Sequence, residues 1–252
     1  MPMKKLYDKS KIWFALSWII CYVFGASCTD ALSRIVNAEK SITVFFLGIM
    51  VAVVVVWMKK NRLFGEFGIC KTTIKASKLL FYIPLILIAS CNLWFGVTVN
   101  YRWHITVFYI LSMLFVGLLE EIIFRGFLFK AMAENNLKSA ITVSSVTFGI
   151  GHFVNLINGS GAEIIPNVCQ VVSAVAIGFL FVVLFYKTKS LLPCVITHCI
   201  LNALSTFAVD ITNIQQIVQS AVVSVIAVLY ALFLLKKTEC HIVEKQVHFT
   251  PT

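Results

Sequence analysis

Eight stretches of roughly twenty mostly apolar residues dominate this chain: 11–33, 41–58, 79–99, 103–129, 139–158, 166–186, 190–209 and 214–235. About twenty apolar residues are what an α-helix needs to cross the hydrocarbon core of a bilayer. The runs are continuously apolar rather than alternating, which argues against a β-barrel. Over 252 residues, 60% are hydrophobic and 13% are charged, against about 25% charged in an ordinary soluble domain. No water-soluble fold can hide that much apolar surface, so soluble-enzyme, disordered and nucleic-acid-binding classes are set aside. The expected fold is all-α: one polytopic helical membrane domain over residues 1–252, with eight transmembrane helices.

The net charge of +10 then acts as a threading signal rather than as a sign of an anionic partner. With the N-terminus inside, 17 of the 21 basic residues fall in cytoplasmic segments: Lys4 to Lys11, Lys59 to Lys78, Lys130 and Lys138, Lys187 and Lys189, and Lys236 to Lys245. The outer loops hold only Arg34, Lys40 and Arg102, and Arg125 lies inside the fourth run. Cytoplasmic loops of membrane proteins carry such a Lys/Arg excess. An odd number of spans would break the split, so both termini are placed in the cytoplasm. The first run, although preceded by Lys4 and Lys5, is long for a signal peptide and is read as a span.

The basic loop 59–78 contains Leu63, Phe64, Phe67 and Ile69. This pattern predicts a segment lying on the inner leaflet with its apolar side chains dipping into lipid. The cysteines form no C-x-x-C pair. Cys21, Cys28, Cys91, Cys169, Cys194 and Cys199 fall in spans and Cys70 and Cys240 outside them; all eight are read as small hydrophobes.

Charge buried in a bilayer is expensive and tends to mark function. Of the 11 acidic residues, two adjacent ones, Glu120 and Glu121, sit inside a span, in Gly-Leu-Leu-Glu-Glu-Ile-Ile-Phe-Arg. At 100° per residue, Arg125 lies about 40° around an α-helix from Glu121 and about 140° from Glu120. Glu121 is thus expected to pair with Arg125, leaving Glu120 available. Two neighbouring carboxylates in a medium of low dielectric resist joint ionisation, which is how a general base is tuned.

Two histidines also fall within spans. His152 follows Phe148 by one helical turn and is preceded by Gly149 and Gly151, which remove bulk around it. His198 precedes Asn202 at i, i+4, so both polar heads share a face. His104, His241 and His248 are placed at an interface or in the tail. A lone membrane His or Asn is often only interhelical glue. Glu-Glu, His and His…Asn on three separate helices instead make a set able to bind and polarise water.

Glu120-Glu121-x-x-x-Arg125, Phe148-x-x-x-His152 and His198-x-x-x-Asn202, in that order on successive helices, resemble the CPBP family, the CAAX-type intramembrane endopeptidases and bacteriocin-processing or self-immunity (Abi) proteins. The resemblance spans roughly 103–207, which would be the catalytic core. It implies an eight-helix peptidase with a cytoplasm-facing cavity, hydrolysing a peptide bond of a membrane-associated or lipid-modified substrate near the cytoplasmic leaflet. Glu120 and His152 would activate water, His198 and Asn202 would stabilise the oxyanion, and Glu121 and Arg125 would form the supporting pair. The metal question stays open: no H-E-x-x-H is present, and a zinc ion, if bound, would take Glu120, His152 and His198. The implied partners are a peptide or protein substrate and the bilayer, with no nucleic acid, in a bacterial cytoplasmic membrane. The alternative the resemblance allows is a non-catalytic immunity or scaffold protein that keeps the polar motifs.

Overall fold

Long apolar runs with no water to satisfy their backbone must close their hydrogen bonds internally, and the computed structural model is accordingly all-helical, with no strand among its described residues, 2–237. Cys240, His241, Lys245 and His248, placed above in a tail, lie outside that range. A short helix α1 (Pro2–Lys9) is followed by α2 (Lys11–Ile35), whose start is capped by Ser10, the Oγ accepting from Trp13 N at 3.3 Å. Then come α3 (Ser41–Lys60), α4 (Ile83–Ala89), α5 (Trp103–Glu120), a π-helical segment Glu121–Phe129 and α6 (Lys130–Ala133). The last four are α7 (Leu137–Gly151), α8 (Ile164–Thr188), α9 (Leu192–Leu204) and α10 (Asn213–Lys237).

Among the described residues, five helices are long and apolar enough to cross a membrane: Lys11–Ile35, Ser41–Lys60, Trp103–Ala133, Ile164–Thr188 and Asn213–Lys237. Together they make a multi-pass integral membrane protein. The other three expected spans are shorter or broken. Run 79–99 is interrupted by Leu80, Phe81 and Tyr82, three successive residues with φ of 52°, 51° and 60°, before the seven-residue α4. The turn is pinned by the Tyr230 hydroxyl, which donates to the Leu79 carbonyl at 2.8 Å. α7 ends at Gly151 and tightens into a 3-10 turn, His152–Leu156. α9 has 13 residues, about 20 Å of helix, short of a 30 Å hydrocarbon core.

The helix ends sort into two faces of opposite character. Lys4 to Lys11, Lys59 to Lys78, Lys130, Lys138, Lys187, Lys189, Lys236 and Lys237 gather at one end with three acids, Asp8, Glu66 and Glu134. There Lys11 pairs with Glu134, and Leu191 N donates to Gly68 O at 2.7 Å. At the opposite end Arg34, Lys40 and Arg102 accompany four acids, Asp30, Glu39, Glu163 and Asp210. Arg34 and Lys40 both pair with Asp30, Arg34 also reaches the Asn158 carbonyl, and Asn100 Nδ2 donates to Ala208 O at 2.9 Å.

The basic end is sealed. Phe14, Trp57, Phe67 and Phe127 are buried and pack ring on ring, Phe14 on Trp57 at 4.9 Å and Phe67 on Phe127 at 4.9 Å between centroids. Tyr7 joins them and donates to Glu66; burial first, then that carboxylate, holds its hydroxyl well above the usual tyrosine range. The expectation for loop 59–78 is corrected here: Leu63 and Phe67 are buried in the protein core rather than dipped in lipid. The reason is that α3 ends at the plug and the loop folds across it. All seven described cysteines are free.

Candidate active site

The long helix Trp103–Ala133 widens to π-helix at Glu121. π segments are rare and recur at functional sites. The widening leaves the Phe124 carbonyl to accept from Ser144 Oγ of α7 at 2.8 Å. It also sends the two adjacent glutamates to different neighbours. Glu120 turns to α2, where the buried Tyr22 hydroxyl donates to its Oε1 at 2.7 Å. Glu121 turns inward: its Oε1 accepts from Arg125 Nη1 at 2.9 Å and meets His198 Nδ1 at 2.8 Å.

Small residues make these approaches possible. A Cβ at Gly117 would lie 2.9 Å from the Cys199 backbone N. α5 and α9 therefore touch along their backbones one turn before the glutamates and one residue after His198. Gly178 on α8 leaves room for Arg125, which lies with its Cζ 4.2 Å over the Phe148 ring. Neither Glu121 nor Arg125 is accessible to solvent. A buried ion pair of this kind persists only when its geometry and neighbours offset the cost of desolvation. Here His198 and the face of Phe148 supply that environment, while Arg125 Nε and Nη2 have no hydrogen-bond partner.

Glu120 is differently placed. Its Oε1 is tied to Tyr22, whereas Oε2 makes no hydrogen bond and stands 3.5 Å from His198 Nε2. Glu120 lines a cavity of ≈ 240 Å³ together with Tyr22, Phe124, Phe148, His152 and Asn202. His152, His198 and Asn202 line a second cavity of ≈ 420 Å³, whose walls also carry Asn92, Gln170, Gln216 and Gln219. His152 and Asn202 thus border both. Phe148 stands edge-on between the two imidazoles, 5.4 Å from His152 and 5.7 Å from His198. The break at the end of α7 frees the His152 carbonyl, which accepts from Asn167 Nδ2 at 2.9 Å. Gly149 lets α8 approach, a Cβ there falling 2.8 Å from Val175 N, and Gly151 faces open space.

All six residues singled out in the sequence therefore converge: Glu121, Arg125 and His198 in one buried cluster, Glu120 beside it, and His152 and Asn202 across the shared cavity walls. Tyr22 was not among them, because a tyrosine in a first span looks like any interfacial aromatic. The sequence left the metal question open. Among the described residues no group of three or more His, Cys, Asp or Glu side chains is disposed to hold a metal ion, and His198 Nδ1 is already engaged by Glu121. As placed, Glu120, His152 and His198 do not fit a three-ligand zinc site, and no step is routed through one.

The rims of the two cavities lie at one end of the bundle. The ≈ 240 Å³ cavity is bordered by Asp30, Lys40 and Asn158, and the larger one by Cys91, Ala162 and Ser205. These residues belong to the end of the bundle opposite the basic one. A cytoplasm-facing cavity and a cytoplasmic basic end do not go together in this fold.

The helical bundle thus places a glutamate and two histidines on the walls of internal cavities. Within it, residues 102–204 match the family model of type II CAAX prenyl endopeptidase Rce1-like proteins. Over that segment, which is under half of the chain, the protein is similar to this family of CAAX endopeptidases. No curated protein and no solved structure matches the chain.

Proposed function

We propose that this protein is an intramembrane endopeptidase that hydrolyses a peptide bond of a membrane-associated substrate with water activated by Glu120 and His152. The protein would sit in a bacterial cytoplasmic membrane, with eight membrane-embedded segments, both termini cytoplasmic and residues 103–207 as the catalytic core. The observation that carries the reading is the placement of Glu120: Tyr22 anchors its Oε1, its Oε2 has no hydrogen-bond partner and stands 3.5 Å from His198 Nε2, and the residue lines a cavity that His152 also lines. A carboxylate oxygen held in this way is a water-binding base.

In the reaction, a water between Glu120 Oε2 and His152 attacks the scissile carbonyl and passes a proton to Glu120. Charge develops on the carbonyl oxygen. Asn202, whose side chain borders both cavities, and His198, fixed through Nδ1 by Glu121, supply preorganised polar groups for that oxyanion. Glu121 and Arg125 hold His198 in place. Glu120 then returns the proton to the leaving amine.

Purified protein in liposomes, presented with membrane-tethered peptides, tests this. Glu120→Gln, His152→Ala and His198→Ala should each lower cleavage by about 10²–10⁴-fold, the usual worth of general acid–base catalysis. If all three variants cleave like the native protein, the polar cluster serves packing or binding instead, as an immunity or scaffold role would require.

A further inference from the structure

We propose that Asn167 on α8 is a positioning residue: together with Gln170 one turn later, it clamps the 3-10 turn that carries His152 and so fixes where that imidazole meets water and substrate. The inference rests on the peptidase reading for what His152 does. The clamp itself is carried by hydrogen bonds and burial.

His152 depends on its backbone for its place. Among the described residues its imidazole makes no hydrogen bond, and its ring contact is the edge of Phe148 at 5.4 Å. The chain leaves α7 at Gly151 and tightens into the turn His152–Leu156. Beyond the turn it passes Gly159 and Gly161, with φ of 74° and 78°, where glycine leaves the backbone free. The far side of the turn is tied by Arg34 to the Asn158 carbonyl and by Ser160 Oγ, which donates to the Asn155 carbonyl at 2.6 Å. Neither bond touches His152.

Restraint at His152 comes from α8. Asn167 Nδ2 donates to the His152 carbonyl at 2.9 Å, and Asn155 Nδ2 donates to Gln170 Oε1 at 3.2 Å. Asn167 and Gln170 are neighbours at i, i+3 on an α-helix. His152 and Asn155 hold the same spacing on a 3-10 turn, where i and i+3 eclipse. The two bonds are therefore in register, one turn apart on both partners. Gly149 holds α7 and α8 at this spacing, since a Cβ there would fall 2.8 Å from Val175 N.

The state of Asn167 argues for position rather than stability. Its side chain is 2% exposed. A carbonyl only accepts, so the amide is turned with Nδ2 toward His152, and Oδ1 is left buried without a hydrogen-bond partner. A buried acceptor left unpaired costs free energy that an apolar side chain of the same shape would not incur. What the amide adds is a fixed place for the His152 backbone. His152 lines both cavities, so a shift of this turn moves the imidazole relative to Glu120 and Asn202.

Asn167→Leu keeps the shape and deletes the donor, and two readouts on protein in liposomes test it. With membrane-tethered peptides, kcat should fall by about 10²-fold, the usual cost of a misplacement of about 1 Å, while KM stays close to native. Carbethoxylation by diethyl pyrocarbonate, read by peptide mass spectrometry, should speed up several-fold at His152 and stay native at the exposed His104. Gln170→Leu frees only Asn155 and should move both readouts the same way by less; it takes the place of Asn167→Leu should that variant not fold. Native kcat together with native His152 labelling overturns the proposal. So does a raised KM at native kcat, which would make Asn167 a substrate-binding group. If the native protein cleaves nothing, the peptidase reading is lost, and labelling of His152 alone decides the clamp. Cleavage that requires Glu120, with native His152 labelling and native kcat in both variants, would do the reverse.

Discussion

The two halves of this bundle are built from different materials. Toward the basic end, aromatic rings interlock beneath a buried Glu121–Arg125–His198 cluster. Toward the other end the helices are short or broken, and amides, hydroxyls and a half-satisfied Glu120 face internal space. Adjacent glutamates on one helix fall on either side of this divide. On the proposed reading, the charged pair serves architecture and the neighbouring charge serves chemistry. Each glutamate keeps one carboxylate oxygen bonded and one without a hydrogen-bond partner, but Glu121 is fully buried against Arg125 and His198, whereas Glu120 borders a cavity.

The division can be broken from the closed side first. Arg125→Leu strands Glu121 beside His198, and removing one member of a buried pair costs about 3–5 kcal/mol. Its unfolding in detergent should shift accordingly, and cleavage should disappear because His198 loses its support. Phe127→Ala opens a void in the aromatic plug. Lipid is as apolar as the core, so the transfer term of a soluble protein is largely missing and the packing loss is about 1–3 kcal/mol. The same substitution should leave the cavities and the cleavage rate of the surviving folded protein close to native.

Smaller changes at the boundary sharpen the contrast. Gly117→Ala pushes a methyl group against the Cys199 backbone and should cost about 1–3 kcal/mol through overpacking. It also separates Glu120 from His198, and misplacement by about 1 Å costs on the order of 10²-fold in rate. Gly151→Ala, with open space around its Cβ, is the control and should leave stability native. Tyr22→Phe removes one hydrogen bond, worth about 1 kcal/mol. It should reduce cleavage several-fold while leaving the fold intact, and a wild-type rate would show that Glu120 needs no anchor.

These contrasts were unevenly visible in the sequence. Glu120, Glu121 and Arg125 stood out because charge in an apolar run has no ordinary excuse, and the i, i+4 spacing was enough to pair Glu121 with Arg125. The π-helical widening that sends the glutamates apart has no periodic signature, and the angles of an ideal α-helix only approximated it. Phe67 was misplaced because an amphipathic loop looks the same whether it faces lipid or a protein core. The break at Leu80–Tyr82 was hidden for a related reason: apolarity along 79–99 measures what solvent a segment prefers and says nothing of whether its backbone runs straight.

The hydroxyl that fixes Glu120 comes from α2, which lies wholly before the segment 102–204 that carries the family match. The boundary drawn by similarity is therefore narrower than the working unit. A chimaera that transplanted only 102–204 onto foreign helices would retain every recognisable motif and lose the hydroxyl that holds Glu120. Relatives with divergent first helices should each be found to have solved that anchoring problem in their own way.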